Sequence, residues 1–140
     1  MGRILALDIG QKRTGVAVTD PLKIVANGLS TIPSHTIVDY ISTYLSRESV
    51  ELLVVGYPVQ LNNTPSDAVK YINPILRKIK KAFPQLPVRL VDERFTSKLA
   101  MQAMIDGGMK KKDRRDKGRV DTISATIILQ SYMESLNYQH

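Results

Sequence analysis

The chain has 140 residues, of which 43% are hydrophobic and 24% charged, the balance of a soluble globular protein with enough length for one core that needs no disulfide or structural metal. It contains no cysteine, which excludes a disulfide framework and a thiolate zinc site. A net charge of +7 and a pI near 9.7 favour a polyanionic partner, whereas the lack of an apolar run of about 18 residues, or of a charged-then-apolar leader after Met1, predicts a cytoplasmic protein that engages no membrane.

Arg3 to Asp20, RILALDIGQKRTGVAVTD, reads as two strands joined by a short polar turn. Strand alternation puts Ile4, Ala6 and Asp8 on one face and Leu5 and Leu7 on the other. Both faces look buried, so the carboxylate of Asp8 needs a cation, a hydrogen-bond cluster or a metal. Gly10 permits close approach of a phosphate or another backbone, and Lys12 and Arg13 bring positive charge to the turn. Asp20-Pro21 is a turn signal, and Ile24 to Ile32 follows as a third strand that Pro33 and Ser34 end. Apolar spacing from His35 to about Arg47 predicts a helix. Glu51 to Gly56, ELLVVG, has the continuous apolar character of a central parallel strand.

Thr64-Pro65-Ser66-Asp67 resembles a helix start, and the stripe Val69, Ile72, Leu76, Ile79 and Phe83 continues it. Pro74 is expected to kink or split that helix. Pro87 to Asp92 is a fifth strand, with Glu93 just past its end. Thr96 or Ser97 can cap a further helix that Gly107-Gly108 terminates. Met109 to Arg119, MKKKDRRDKGR, holds seven basic and two acidic residues and reads as a mobile, solvated loop. The last helix runs from Val120 to about Leu136 with Val120, Ile123, Ile127 and Ile128 on its apolar stripe.

An opening hairpin makes strand 2 antiparallel, while strands reached through helices become parallel crossovers. The expected fold is therefore α/β, a mixed five-stranded sheet with helices on both faces in the ribonuclease H-like arrangement, one domain spanning residues 1–140. Asp8 then lies at the centre of the carboxyl edge, where open α/β sheets bind ligands.

Three acids are candidates for that site. Asp8 ends a buried strand beside Gly10. Glu93, in DERFTS, shares a strand face with Val91 and Arg89, whereas Asp92 goes with Leu90; a surface ion pair with Arg94 would explain Glu93 equally well. Asp121 stands in the first turn of the last helix, where an acid is favoured by the dipole alone. Ser124 and Ala125, one turn on, are small enough to let that helix approach a sheet closely. Asp113 and Asp116 are weaker candidates because a mobile loop cannot hold metal geometry.

The blocks LALDIGQKRTGVAVTD, VVGYPVQLNNTPSD, VDERFTS and KGRVDTISATIIL together resemble the YqgF family, relatives of the Holliday-junction resolvases assigned to the 5′ end of pre-16S ribosomal RNA. The resemblance implies a ribonuclease H-like nuclease that uses Mg²⁺ or Mn²⁺ and carries Asp8, Glu93 and Asp121 as its acidic, metal-holding and catalytic set. Two departures from the resolvases stand out. Their second acid follows the fourth strand, where this chain has Gly56-Tyr57-Pro58, and their additional Asp before the helix acid is replaced by Gly118. Two oxygen-ligated ions about 4 Å apart suit such chemistry. In this reading Asp8 bridges them and Glu93 and Asp121 hold one side each, while Lys12, Arg13 and Arg94 position the phosphate backbone. Lys110, Lys111, Lys112, Arg114, Arg115, Lys117 and Arg119 extend the contact with nucleic acid.

The expected partner is structured RNA, an rRNA precursor, with a four-way DNA junction as the alternative and monomer and homodimer both open. A non-catalytic assembly factor acting through the basic loop is a further alternative. An actin-like phosphate loop is disfavoured because such proteins need a second loop and a longer chain.

Overall fold

The computed structural model describes residues 2–58, 67–92 and 117–137, the side chains of residues 117–121 and 137 excepted. Five strands and three helices fall within them. Strands β1 (Arg3–Ile9), β2 (Arg13–Thr19) and β3 (Ala26–Pro33) come first, and a short 3₁₀ turn, Ser34–Thr36, leads into helix α1 (Ile37–Arg47). Strand β4 (Val50–Tyr57), helix α2 (Val69–Ala82), strand β5 (Val88–Asp92) and helix α3 (Lys117–Asn137) complete the described chain.

The sheet order is β3-β2-β1-β4-β5, so β1 is the central strand. β2 runs antiparallel to both β1 and β3, as hairpin connections require. β1, β4 and β5 are mutually parallel because the links to β4 and β5 pass through helical crossovers.

Alternation along β1 divides the core in two. Leu5, Leu7 and Ile9 face the side covered by α1 and α2, where they meet Ile37, Ile41 and Tyr44 of α1 and Ile72, Leu76 and Ile79 of α2. Ile4 and Ala6 face the opposite side with Ala17 and Val54, beneath Ala125, Ile128 and Leu129 of α3. Helices thus cover both faces, as the sequence predicts. Burying each large aliphatic side chain contributes about 1.5–3 kcal/mol relative to exposure.

Four local expectations are corrected. β3 begins at Ala26; Ile24 and Val25 are exposed in the preceding loop. That loop is organised by Asp20, whose Oδ1 accepts hydrogen bonds from the amides of Ile24 and Val25 at 2.7 and 2.8 Å. Helix α2 is not split at Pro74 but runs through it from Val69 to Ala82. The ring forfeits one backbone bond, but buried Ile72 and Leu76 on either side hold both halves to the same core. The buried stripe of α3 is Ser124, Ala125, Ile128 and Leu129, with Ile123 and Ile127 only half-buried. The reason lies in the sheet beneath it. Ala6, Ala17 and Gly28 are register partners across three strands, and this shallow row admits the small-residue face of the helix. A Cβ at Gly28 would lie 2.6 Å from Thr122 Cγ2, so glycine is required for that approach.

Helix α3, finally, begins at Lys117 rather than Val120. Lys117 and Arg119 therefore stand on helical backbone instead of in a loop, and Asp121 is one turn into the helix. Lysine and arginine are good helix formers and extend a helix already anchored on the sheet. The proposed helix start at 64–66, the helix after Thr96 and the basic run 109–116 lie outside the described residues.

Candidate functional site

The carboxyl edge of the sheet is built first by the β1–β2 turn. Gly10 N–H donates to Arg13 O at 2.9 Å, and a Cβ at Gly10 would lie 2.5 Å from that same oxygen. The close approach anticipated at Gly10 is thus made by its own turn. Ser34, at the far end of β3, then clamps the turn from the side. Its amide donates to Lys12 O at 2.9 Å, and its hydroxyl donates to Gly10 O at 2.6 Å. The same hydroxyl shares a 2.9 Å hydrogen bond with Thr14 Oγ1. Ser34 and Thr14 are both buried, so their polar groups are satisfied inside the fold rather than by ligand. Gln11, Lys12 and Arg13 remain exposed on this fixed turn.

Asp8 lies one residue before the end of β1 and is half-buried. By alternation it shares the α3 side with Ile4 and Ala6. Its register partner is Gly15, and the partner of Gly15 on β3 is Thr31. Thr31 Oγ1 and Thr122 Oγ1 are 2.6 Å apart, and Thr122 follows Asp121 on α3. One register row therefore runs from Asp8 across a position with no side chain to the residue that holds α3 beside Asp121. With strands about 4.8 Å apart, Thr31 lies about 10 Å from Asp8 along this row.

On the other flank, Tyr57 and Asp92 are register partners. Tyr57 packs on the α1 and α2 side and its hydroxyl donates to Asn73 Oδ1 at 2.8 Å. Asp92 thus points away from the face of Asp8. Val91 packs with the α3 core, in agreement with the alternation expected for this strand. Glu93, Arg94 and residues 110–115 lie outside the described residues, as do the side chains of Lys117, Arg119 and Asp121. Among the described residues no three carboxylate or imidazole groups gather.

The family model RuvX, described as a Holliday junction resolvase, matches residues 2–135. The chain belongs to the RuvX family. A relative from Phocaeicola vulgatus named "Putative pre-16S rRNA nuclease" is 58% identical over 99% of both chains. Relatives of the same name from Porphyromonas gingivalis and Flavobacterium johnsoniae are 52% and 49% identical, over 96% and 99% of this chain and 98% and 100% of their own. RuvC of Thermus thermophilus, solved with a Holliday junction substrate, superposes with a TM-score of 0.57 at 17% identity, over 95% of this chain and 96% of that one. A second structure of T. thermophilus RuvC gives 0.54 at 14% identity, over 94% of this chain and 96% of that one. The ribonuclease H-like fold expected from the sequence is therefore the fold observed, and RuvX membership carries the enzyme class, a nuclease acting on phosphodiester bonds.

Three residues that build this edge of the sheet are not singled out by the sequence. Ser34 reads only as a strand stop, Thr31 carries no motif, and Thr122 lies in the block KGRVDTISATIIL without being singled out there. A usable signal for Thr122 is its place beside Asp121, since hydroxyl side chains next to a candidate acid often anchor its backbone. The pairing with Thr31 needs the sheet register, which sequence does not supply. The donor set itself suits a hard cation: with no cysteine in the chain, a carboxylate backed by threonine hydroxyls and a glycine gap presents oxygen donors only.

Proposed function

We propose that this RuvX protein is a divalent-metal-dependent nuclease that processes the 5′ end of pre-16S ribosomal RNA, with Asp8, Glu93 and Asp121 as its acidic set. The observation that supports this reading most is the row Asp8, Gly15, Thr31, Thr122, which ties the half-buried carboxylate of the central strand to the turn of α3 that bears Asp121. The names of relatives at 49–58% identity favour rRNA over other substrates.

Asp8, Glu93 and Asp121 would hold Mg²⁺ or Mn²⁺, which when bound supplies water activation and neutralises charge at the leaving oxygen. The chain's own contribution is placement. Asp8 is fixed by the central strand, and the Ser34 clamp fixes the turn that presents Lys12 and Arg13 to the phosphate backbone. Arg94 and the basic residues Lys110, Lys111, Lys112, Arg114, Arg115, Lys117 and Arg119 add sequence-independent attraction for the strand.

The decisive test compares the parent with Asp8→Asn on a 5′-extended 16S rRNA precursor and on a four-way DNA junction, each with Mg²⁺ or Mn²⁺. The parent should cleave the RNA. Asp8→Asn should abolish cleavage and most of the rise in melting temperature that the cation gives, while RNA affinity measured in EDTA stays within about twofold, because phosphate contacts rather than carboxylates hold the strand. Equal cation stabilisation of both proteins would remove Asp8 from the site. Cleavage of the junction but not of the RNA would establish the resolvase reading, which the family description favours.

A further inference from the structure

A second concave surface opens on the same sheet edge, on the opposite side of the β1–β2 turn from Asp8. It is a groove of about 270 Å³ between the start of α1 and the middle of α2, lined among others by Gln11, Ser34, His35, Val38, Ile75 and Lys78. Its walls are of two kinds. Val38 and Ile75 are half-buried aliphatic side chains from the facing helices, whereas Gln11, His35 and Lys78 are exposed at its rim. Among the described residues no carboxylate lines it. Asp39, the acid in the first turn of α1, is exposed outside it. Lys78 forms no ion pair among the described residues, in contrast to Arg3, Lys23 and Lys70, which pair with Glu48, Glu51 and Asp67; Lys12 is exposed on the adjoining β1–β2 turn that contributes Gln11 to the groove. The groove is also rigidly floored, because Ser34 is buried and bonded to both Gly10 and Thr14.

An apolar slot with a lysine, a histidine and one amide at its rim is complementary to a flat apolar ring carrying an anion and a hydrogen-bonding edge. Those are the parts of a nucleotide. The slot lies below the range of about 300–1,000 Å³ usual for small-molecule pockets, which suits one unit of a strand better than a whole ligand. A base can enter it only when unstacked, so the occupant belongs to single-stranded nucleic acid. We infer that this groove seats one unstacked nucleotide of the substrate strand flanking the cleaved bond, its phosphate on Lys78 and His35, its base between Val38 and Ile75, and its base edge on the Gln11 amide. This rests on the nuclease reading above. It adds that the substrate reaches Asp8 as a single strand led over the turn by Lys12.

The test is fluorescence anisotropy of a short 5′-phosphorylated single-stranded RNA with the full chain in EDTA, where cleavage does not intervene. Lys78→Ala combined with His35→Ala should weaken binding about tenfold, equivalent to the loss of about 1.4 kcal/mol. Val38→Ala should weaken it several-fold, and an RNA with abasic sites should bind the parent as poorly as intact RNA binds Val38→Ala. Mn²⁺-induced stabilisation of Lys78→Ala should equal that of the parent, since the groove lies off the acidic site. Unchanged affinity in the double variant, equal binding of intact and abasic RNA, or equal competition by polyglutamate would each overturn the groove assignment. Failure of the nuclease reading is separate: it would show as absent cleavage and absent cation stabilisation in the parent, with groove binding intact.

Discussion

Thr31 and Thr122 share a 2.6 Å hydrogen bond between side-chain oxygens across 91 residues of chain. It fastens the head of α3 to β3 in the same register row as Asp8. Thr31→Val removes one partner and leaves the Thr122 hydroxyl half-buried, at an expected cost of about 1 kcal/mol in denaturant unfolding. Thr31→Ser should recover most of that loss. If the bond also sets the position of Asp121, Thr31→Val will reduce the stabilisation by Mn²⁺ more than its effect on the metal-free protein, and Thr31→Ser will not.

Gly28 gives a sharper test of how α3 is seated. A Cβ there would meet Thr122 Cγ2 at 2.6 Å and Thr126 Oγ1 at 3.3 Å. A β-branched threonine in a helix has little rotamer freedom with which to yield. Gly28→Ala should therefore destabilise by about 1–3 kcal/mol through overpacking. Thr122→Ser deletes the clashing methyl while retaining the hydroxyl, so the double variant should regain much of the loss. Strict additivity in the double-mutant cycle would show that helix and strand are not in contact at this point.

Asp20 predicts a pH effect confined to acid. Backbone amides of Val25, Ile24 and Leu22 hold its carboxyl below the ordinary value of 3.8, against a smaller opposing effect of desolvation. A depressed folded-state pKa stabilises the fold above the unfolded value, and this contribution fades as pH falls through the folded value. The melting temperature of the parent should accordingly drop below pH 4 more steeply than that of Asp20→Asn, whose side chain still accepts hydrogen bonds but does not titrate. Parallel curves between about pH 2 and 5 would show that the loop does not depend on the charge.

The basic run is tested by salt. Replacing Lys110, Lys111 and Lys112 with Ala should weaken RNA binding equally for all sequences and lower the log-log salt slope by about 0.7 for each single-strand phosphate no longer neutralised. An unchanged slope would make the run a solvated linker.

Much of this fold is legible in the sequence because hydrophobic periodicity reports burial directly. The alternation of Leu5 and Leu7 against Ile4 and Ala6, the stripe Ile72, Leu76 and Ile79, and the hairpin that forces strand 2 antiparallel all reappear in the structure. Misplaced features are those set by particular packing and hydrogen-bond partners rather than by apolar periodicity. The stripe of α3 follows the shallow row Ala6, Ala17 and Gly28 rather than its own largest residues, and the start of β3 follows the carboxylate of Asp20 rather than the apolar character of Ile24. For the candidate site, Asp8 stands out in the sequence because a carboxylate ending an apolar strand is anomalous by itself, and the structure places it half-buried near the end of the central strand. Thr31 and Ser34 do not stand out, because their hydroxyls carry no signal until the partner is known, and Thr122 is marked only by its place beside Asp121.

Helix α3 alone among the described helices covers the face that Asp8 shares, and in sequence it comes last. A nascent chain that has emerged only as far as β5 can form the hairpin, the sheet and the α1 and α2 layer, but carries Ile4, Ala17 and Val54 uncovered and has no Asp121. Order of synthesis thus leaves that face open until α3 emerges. On the proposed function, any partial product that ends before α3 lacks Asp121 and with it one member of the proposed acidic set. A chain ended at Asp116 should accordingly bind hydrophobic dyes strongly and show no cation-dependent stabilisation, while the full chain shows the reverse.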